Sequence, residues 1–246
     1  MNVLPLPYDE ALNIVKTTVP VSDIIRVPLP DSLDCILAET VAADFDLPPF
    51  SRAMMDGFAV RSEDTSACAP GGPPVRLTVV EEVPAGTAPT RRVGTGEAIR
   101  VMTGTMIPEG ADAVCRFEAT KDGFRRNIPV VTILRPLRPG ENIARKGEDI
   151  PAGATALAAG KRIGAAETAV LATFGMSEVP VYRKPVVAIA ATGSELVDVS
   201  AQPAPGQIRN SNTAMVAALV RAAGGVPLPL GHVRDDTAAI EAALRT

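Results

Sequence analysis

From Val60 to about Pro139 the chain is cut by glycine and proline clusters into short apolar runs. These are Val75–Val80, Ala98–Met102, Ala113–Phe117 and Val130–Leu134, at fairly regular spacing, and they predict an all-β module. After Lys184-Pro185 the period changes. Val186–Ala191 is a continuous apolar run, as expected of a parallel strand covered on both faces, and it leads into the loop Thr192–Leu196. Asn210-Ser211-Asn212 is placed to cap a helix over Ala214–Ala223 that Gly224-Gly225 ends, Val226–Leu230 is the next strand, and Asp236 caps a helix over Thr237–Leu244. This is the beginning of a doubly wound α/β domain, and such sheets carry about five or six strands, so a truncated chain is expected. Upstream, Asp9–Val19 predicts a short amphipathic helix, Leu33–Glu39 another, and Ala165–Phe174 an apolar helix ended by Gly175.

Composition excludes several function classes. A length of 246 residues predicts two or more domains. A net charge of −4 with interspersed signs lacks the basic stripe of a nucleic-acid-binding chain, and no stretch approaches the ~20 apolar residues that span a bilayer. The expectation is a cytoplasmic protein with neither nucleic acid nor membrane as partner. Cys35, Cys68 and Cys115 are far apart without CxxC spacing, and His232 is the only histidine, so a metal here needs oxygen ligands. A Ser-His-Asp or Cys-His arrangement would depend on His232, which no nucleophile-elbow pattern accompanies; a surface or loop position is expected for it.

The stretch Leu47–Arg61, LPPFSRAMMDGFAVR, is the least ordinary. Two prolines and an Asp-Gly turn sit among Phe50, Met54, Met55, Phe58 and Val60, which reads as a loop held by apolar residues around one carboxylate, Asp56. Judged locally, the favoured reading of Asp56 is the plainer one, a turn former ahead of a strand at Phe58–Val60. Asp149, Glu195 and the pair Asp235-Asp236 are also loop acids, two of these loops following the ends of the parallel strands, where open α/β sheets bind ligands. If they converge, Mg²⁺ and a phosphate-bearing substrate suit them; if not, Asp236 is a helix cap and Glu195 a solvated loop residue. Thr103-Gly104 offers a hydroxyl and amides for an anion, and Arg145 and Lys146 add positive charge.

Five blocks, LPPFSRAMMDGFAVR, IRVMTGTMIPEGADAV, GENIARKGEDIPAG, EVPVYRKPVVAIAATGSEL and PGQIRNSN, in this order and spacing, resemble the molybdopterin molybdenumtransferases, the MoeA and gephyrin E-domain family. The resemblance implies a multidomain α+β architecture: a β-rich module (48–150) inserted in a small α/β linker domain (22–47 with 151–182), followed by the start of a doubly wound, MogA-like α/β domain (183–246 with 1–21). It implies molybdenum cofactor biosynthesis, with Mg²⁺-dependent hydrolysis of adenylylated molybdopterin, insertion of molybdate and release of AMP. It also implies a homodimer whose cleft lies between the α/β domain of one subunit and the β domain of the other. Catalytic roles fall on Asp56, Thr103, Asp149 and Glu195, substrate binding on Arg145, Ser211, Asp235 and Asp236, and Mg²⁺ on Asp56, Glu195 and Asp235.

The chain departs from the family pattern at Ala144, often a basic residue, at Lys146 in place of arginine, at Ser194 in place of Asp or Asn, and at Asn210 in place of Asp. A Ser-Gly-Gly loop and a last β domain of the family have no counterpart in these residues, so this chain alone is expected to be an incomplete, inactive piece. A non-catalytic dimeric scaffold or partner-binding module, as in gephyrin, is the alternative; retention of Asp56, Asp149 and Glu195 together favours the enzyme.

Overall fold

The computed structural model describes residues 6–68, 72–125, 128–233 and 235–245. The chain divides into two compact units, one formed by 41–156 and the other by 1–40 together with 157–246.

The 41–156 unit is built on a six-stranded sheet in the order Ala113–Arg116, Gly57–Val60, Glu97–Val101, Val75–Val83, Ile128–Ile133, Thr120–Arg125. Only the Val75–Val83 and Glu97–Val101 neighbours run parallel. Each face carries a buried apolar cluster. Phe58, Val60, Leu77, Ala98, Cys115 and Ile133 form a cluster on one side, and Ala59, Val83, Ile99, Val101 and Val114 form one on the other. Alternate residues of a strand point to opposite faces, so a strand covered on both sides must be apolar throughout. That is why Gly57-Phe58-Ala59-Val60 is uninterrupted and wholly buried. Gly57 is required by packing. A Cβ there would lie 2.0 Å from the Cys115 carbonyl oxygen.

The four expected runs are strands with edges moved by a few residues. Thr120–Arg125 is a further strand that the sequence pattern did not show.

In the other unit, Ile24–Pro28 pairs antiparallel with Glu178–Tyr182. Helix α1 spans Tyr8–Thr18 and buries no residue. Helix α2 spans Ala165–Thr173, buries Leu171, and begins where Glu167 accepts the Gly164 N–H (3.0 Å). Gly175, at φ 69°, follows it, a left-handed conformation that glycine adopts without strain. Leu33–Glu39 is not helical. Asp34 sits at φ 62°, and Ile36 and Leu37 make single bridges to Arg162 and Val181, so tertiary pairing overrides the local pattern.

Val186–Thr192 and Val226–Val233 form a two-stranded parallel sheet. Helix α3, Ser211–Ala222, is capped by Asn210, whose side chain accepts from Thr213 N–H (3.1 Å). Helix α4, Thr237–Leu244, is capped by Asp236, which accepts from Ala239 N–H (2.9 Å). The cover expected on both faces of Val186–Ala191 is not present among the described residues, since Ile189 alone of that strand is buried.

Candidate functional site

Three of the sequence blocks meet inside the 41–156 unit, joined by backbone hydrogen bonds. Arg52–Ala53 pairs with Ile143–Ala144, Gly104 N–H donates to the Ala53 carbonyl (2.9 Å), and Met54 N–H donates to the Asn142 carbonyl (2.9 Å). Gly147 and Asp149 N–H donate to the Pro48 and Leu47 carbonyls, 2.9 Å each. The Leu47–Arg61 stretch is therefore a fixed loop, as its apolar content predicts, but its anchors differ. Pro48, Ala53, Phe58 and Val60 are buried, while Met54 and Met55 are 54% and 43% exposed.

Asp56 lies at the exposed tip of this loop. Its Oδ1 accepts both the Thr103 backbone N–H and the Thr103 hydroxyl, each at 2.7 Å. The amide first, then the hydroxyl, with Arg100 adding charge, hold its carboxyl below the ordinary aspartate value of 3.8. Asp56 thus does more than shape a turn: it is an ionised carboxylate fixed by two donors, and among the described residues nothing bonds its Oδ2. The same contacts correct one expectation. Thr103-Gly104 offers no free amides for an anion, because the Thr103 N–H serves Asp56 and the Gly104 N–H serves Ala53.

Beside this pair, Thr103, Gly104, Arg52, Ala144, Glu148 and Asp149 line a cavity of about 310 Å³. Asp149 is exposed at its rim. Arg145 is also exposed; its backbone N–H donates to Glu148 (2.7 Å), while Lys146 pairs with Asp46 (3.3 Å).

The remaining sequence candidates belong to the other unit. In the Thr192–Leu196 loop, Gly193 has φ 140° and an added Cβ would come within 2.8 Å of the Glu195 carboxylate, so glycine is what lets Glu195 fold over the loop. His232 Nε2 bonds the Gly193 carbonyl from the facing strand. His232 is thus a brace of the Glu195 loop, which sequence reasoning did not assign, because its place opposite Ala191 exists only in the folded parallel register. Ser211 is the exposed first residue of α3. Asp236 is engaged as the α4 cap, whereas the exposed Asp235 side chain has no bond among the described residues.

A second cavity, about 460 Å³, lies between Leu196–Val199, α3 and His232. Thr213 Oγ1 is buried there without a hydrogen-bond partner among the described residues.

Arg100 was also missed. Its guanidinium lies 5.6 Å above the Phe117 ring, which stacks on Phe58 at 6.4 Å, and Phe117 N–H donates to the Asp56 carbonyl (2.9 Å). Its position three residues before Thr103 was the only signal.

Among the described residues no group of three His, Cys, Asp or Glu side chains is placed to hold a metal ion. Asp56 nonetheless fits a hard cation: it is ionised, exposed, and keeps one oxygen open.

The fold and these loops define a protein built from a β-rich unit and a parallel α/β segment. Residues 6–175 match the MoeA N-terminal region (domain I and II), and residues 188–246 match a probable molybdopterin binding domain. The chain belongs to the MoeA family. It is 43% identical over 232 residues to the molybdopterin molybdenumtransferase of Bacillus subtilis, covering 94% of this chain and 54% of that one. The Staphylococcus epidermidis molybdopterin molybdenumtransferase is 42% identical over 89% of this chain and 51% of its own. The crystal structure of the molybdopterin biosynthesis moeA protein from Pyrococcus horikoshii superposes with a TM-score of 0.86 at 39% identity, over 98% of this chain and 63% of that chain. The chain spans about half the length of the curated relatives it matches. No helix among the described residues is long and apolar enough to cross a membrane.

Proposed function

We propose that this chain is the part of a cytoplasmic, homodimeric molybdopterin molybdenumtransferase that receives adenylylated molybdopterin, and that the whole enzyme inserts molybdate and releases AMP. The observation that carries the reading is the Asp56 carboxylate held by both donors of Thr103, within the region that matches the MoeA N-terminal model.

In this reading Thr103 positions Asp56, so that Oδ2 is presented in one orientation without reorganisation during the reaction. Asp149 faces the same cavity as Thr103, and Arg145 offsets the repulsion that carboxylates would exert on a phosphate-bearing substrate. Asp56, Glu195 and Asp235 are the residues that would hold Mg²⁺, which supplies charge neutralisation at the phosphates and polarises the phosphoryl bond. Of the two adjacent acids, Asp235 is the functional one and Asp236 the helix cap that also borders the substrate. Ser211 offers a hydroxyl at the start of α3, where the helix favours negative charge.

The test measures AMP release from adenylylated molybdopterin with molybdate and Mg²⁺. The protein is used alone and as a chimera carrying the part of the B. subtilis relative that it does not match. Activity is expected in the chimera, with Asp56→Asn lowering it on the order of 100-fold. AMP release that ignores Mg²⁺ or Asp56→Asn would count against the reading. Mixing Asp56→Asn with Glu195→Gln protomers is expected to restore activity well above that of either variant alone; no recovery would remove the shared homodimeric site.

A further inference from the structure

We propose that the cavity at the Tyr182–Pro185 link is a binding site for a small tetrahedral oxyanion, of the phosphate or sulfate kind. The cavity holds about 180 Å³ and is lined by Asp34, Arg162, Tyr182, Arg183, Lys184 and Gly224 among others. Arg162 is paired with Asp34 at 3.0 Å. Arg183 and the half-buried Lys184 have no carboxylate within 4.0 Å and no side-chain hydrogen bond among the described residues. Two adjacent unpaired cations on one concave surface run against the chain's composition, in which 28 acidic residues outnumber 24 basic ones.

The backbone holds them there. Arg183 N–H donates to the Asp23 carbonyl and Val226 N–H to the Pro185 carbonyl, each at 2.8 Å, so the link is fixed on both sides of Lys184. An anion relieves the repulsion between the two charges, the guanidinium supplying a planar pair of donors and the ammonium a point charge. Tyr182 lines the same cavity and carries a hydroxyl that can donate. The end of α3 near Gly224 carries only about half a negative charge, less than the two unpaired cations.

The size limits the ligand. Cavities for drug-sized molecules begin at about 300 Å³, so this one takes a small ion or a terminal group. The site is also separate from the proposed catalytic loops. It adjoins the start of Val186–Thr192, whereas Gly193–Glu195 follow the end of that seven-residue strand, roughly 20 Å further along at ~3.3 Å per residue.

The chain has no tryptophan and two tyrosines, Tyr8 and Tyr182. In a Tyr8→Phe background, tyrosine fluorescence therefore reports on the cavity. Sodium sulfate and sodium phosphate are titrated at ionic strength held constant with sodium chloride. A saturable change is expected with both anions, unchanged by Lys184→Arg and weakened at least tenfold by Arg183→Ala combined with Lys184→Ala. If the double variant does not fold, Lys184→Gln carries the same comparison with a smaller loss. A change that never saturates, that chloride reproduces, or that survives loss of both cations overturns the site.

Discussion

The strands Gly57–Val60 and Val186–Thr192 are both unbroken apolar runs, yet all of the first is buried and only Ile189 of the second is. The first lies between two strands, Ala113–Arg116 and Glu97–Val101, with a hydrophobic cluster on each face. Among the described residues the second has one strand neighbour and a single layer from α3; Val186, Val187, Val226 and Leu228 are exposed. A continuous apolar pattern therefore states what a strand needs, while burial depends on which neighbours the described residues provide. Stability should follow burial rather than pattern.

The largest expected effect is at Phe58, which is 2% exposed and central to one cluster. Phe58→Ala is expected to cost about 3–5 kcal/mol, through lost burial and the cavity left behind. Chemical denaturation followed by circular dichroism measures it. Ile189→Ala, at a site whose neighbours are exposed and free to close in, is expected to cost about 2 kcal/mol or less, near the lower end for a buried isoleucine. Equal costs would break the comparison. Hydrogen exchange sharpens it, because amides of Phe58 and Ala59 are expected to exchange only on global unfolding and those of Ala188–Ala190 by smaller openings.

Cysteine reactivity gives a narrower view of the same contrast. Burial raises the Cys115 thiol to about 11, with the charge of Arg135 acting in the opposite direction. A thiol that remains protonated and enclosed is a poor nucleophile, so iodoacetamide at pH 8 should leave Cys115 unmodified until the sheet unfolds. Rapid native alkylation at Cys115 would show that the six-stranded core opens as readily as the exposed parallel pair.

The legibility of the chain follows the same physics. Local signals sufficed where an element satisfies itself: the Asp236 cap and helix α4 stand where the sequence places them, as do α2 and Gly175. They failed where pairing decides. Thr120–Arg125 carries charges and a glycine, and is a strand because Ile128–Ile133 lies beside it at the sheet edge. Ile36 and Leu37 look helical in isolation and are instead taken by bridges to distant residues. At the site, sequence marked Asp56 and Thr103 as separate candidates. Their hydrogen bonds join positions 47 residues apart, which no local pattern reveals.

That pair supplies the smallest expected effect. A carboxylate whose folded-state pKa is depressed favours the folded state where it is ionised. The contribution of Asp56 is therefore complete above its ordinary value of 3.8 and is lost as pH falls through the lower folded value. Asp56 is exposed, so solvent screens the effect and the stability change should be slight; the titration itself is the better readout. In Thr103→Val the backbone donor persists and the hydroxyl is gone, so the carboxyl carbon-13 titration of Asp56 should move part of the way up toward 3.8. The largest cause of the depression, the Thr103 amide, should keep it from returning fully. An unmoved titration would mean that the hydroxyl does not hold the carboxylate, and that Thr103 acts at the neighbouring cavity rather than through Asp56.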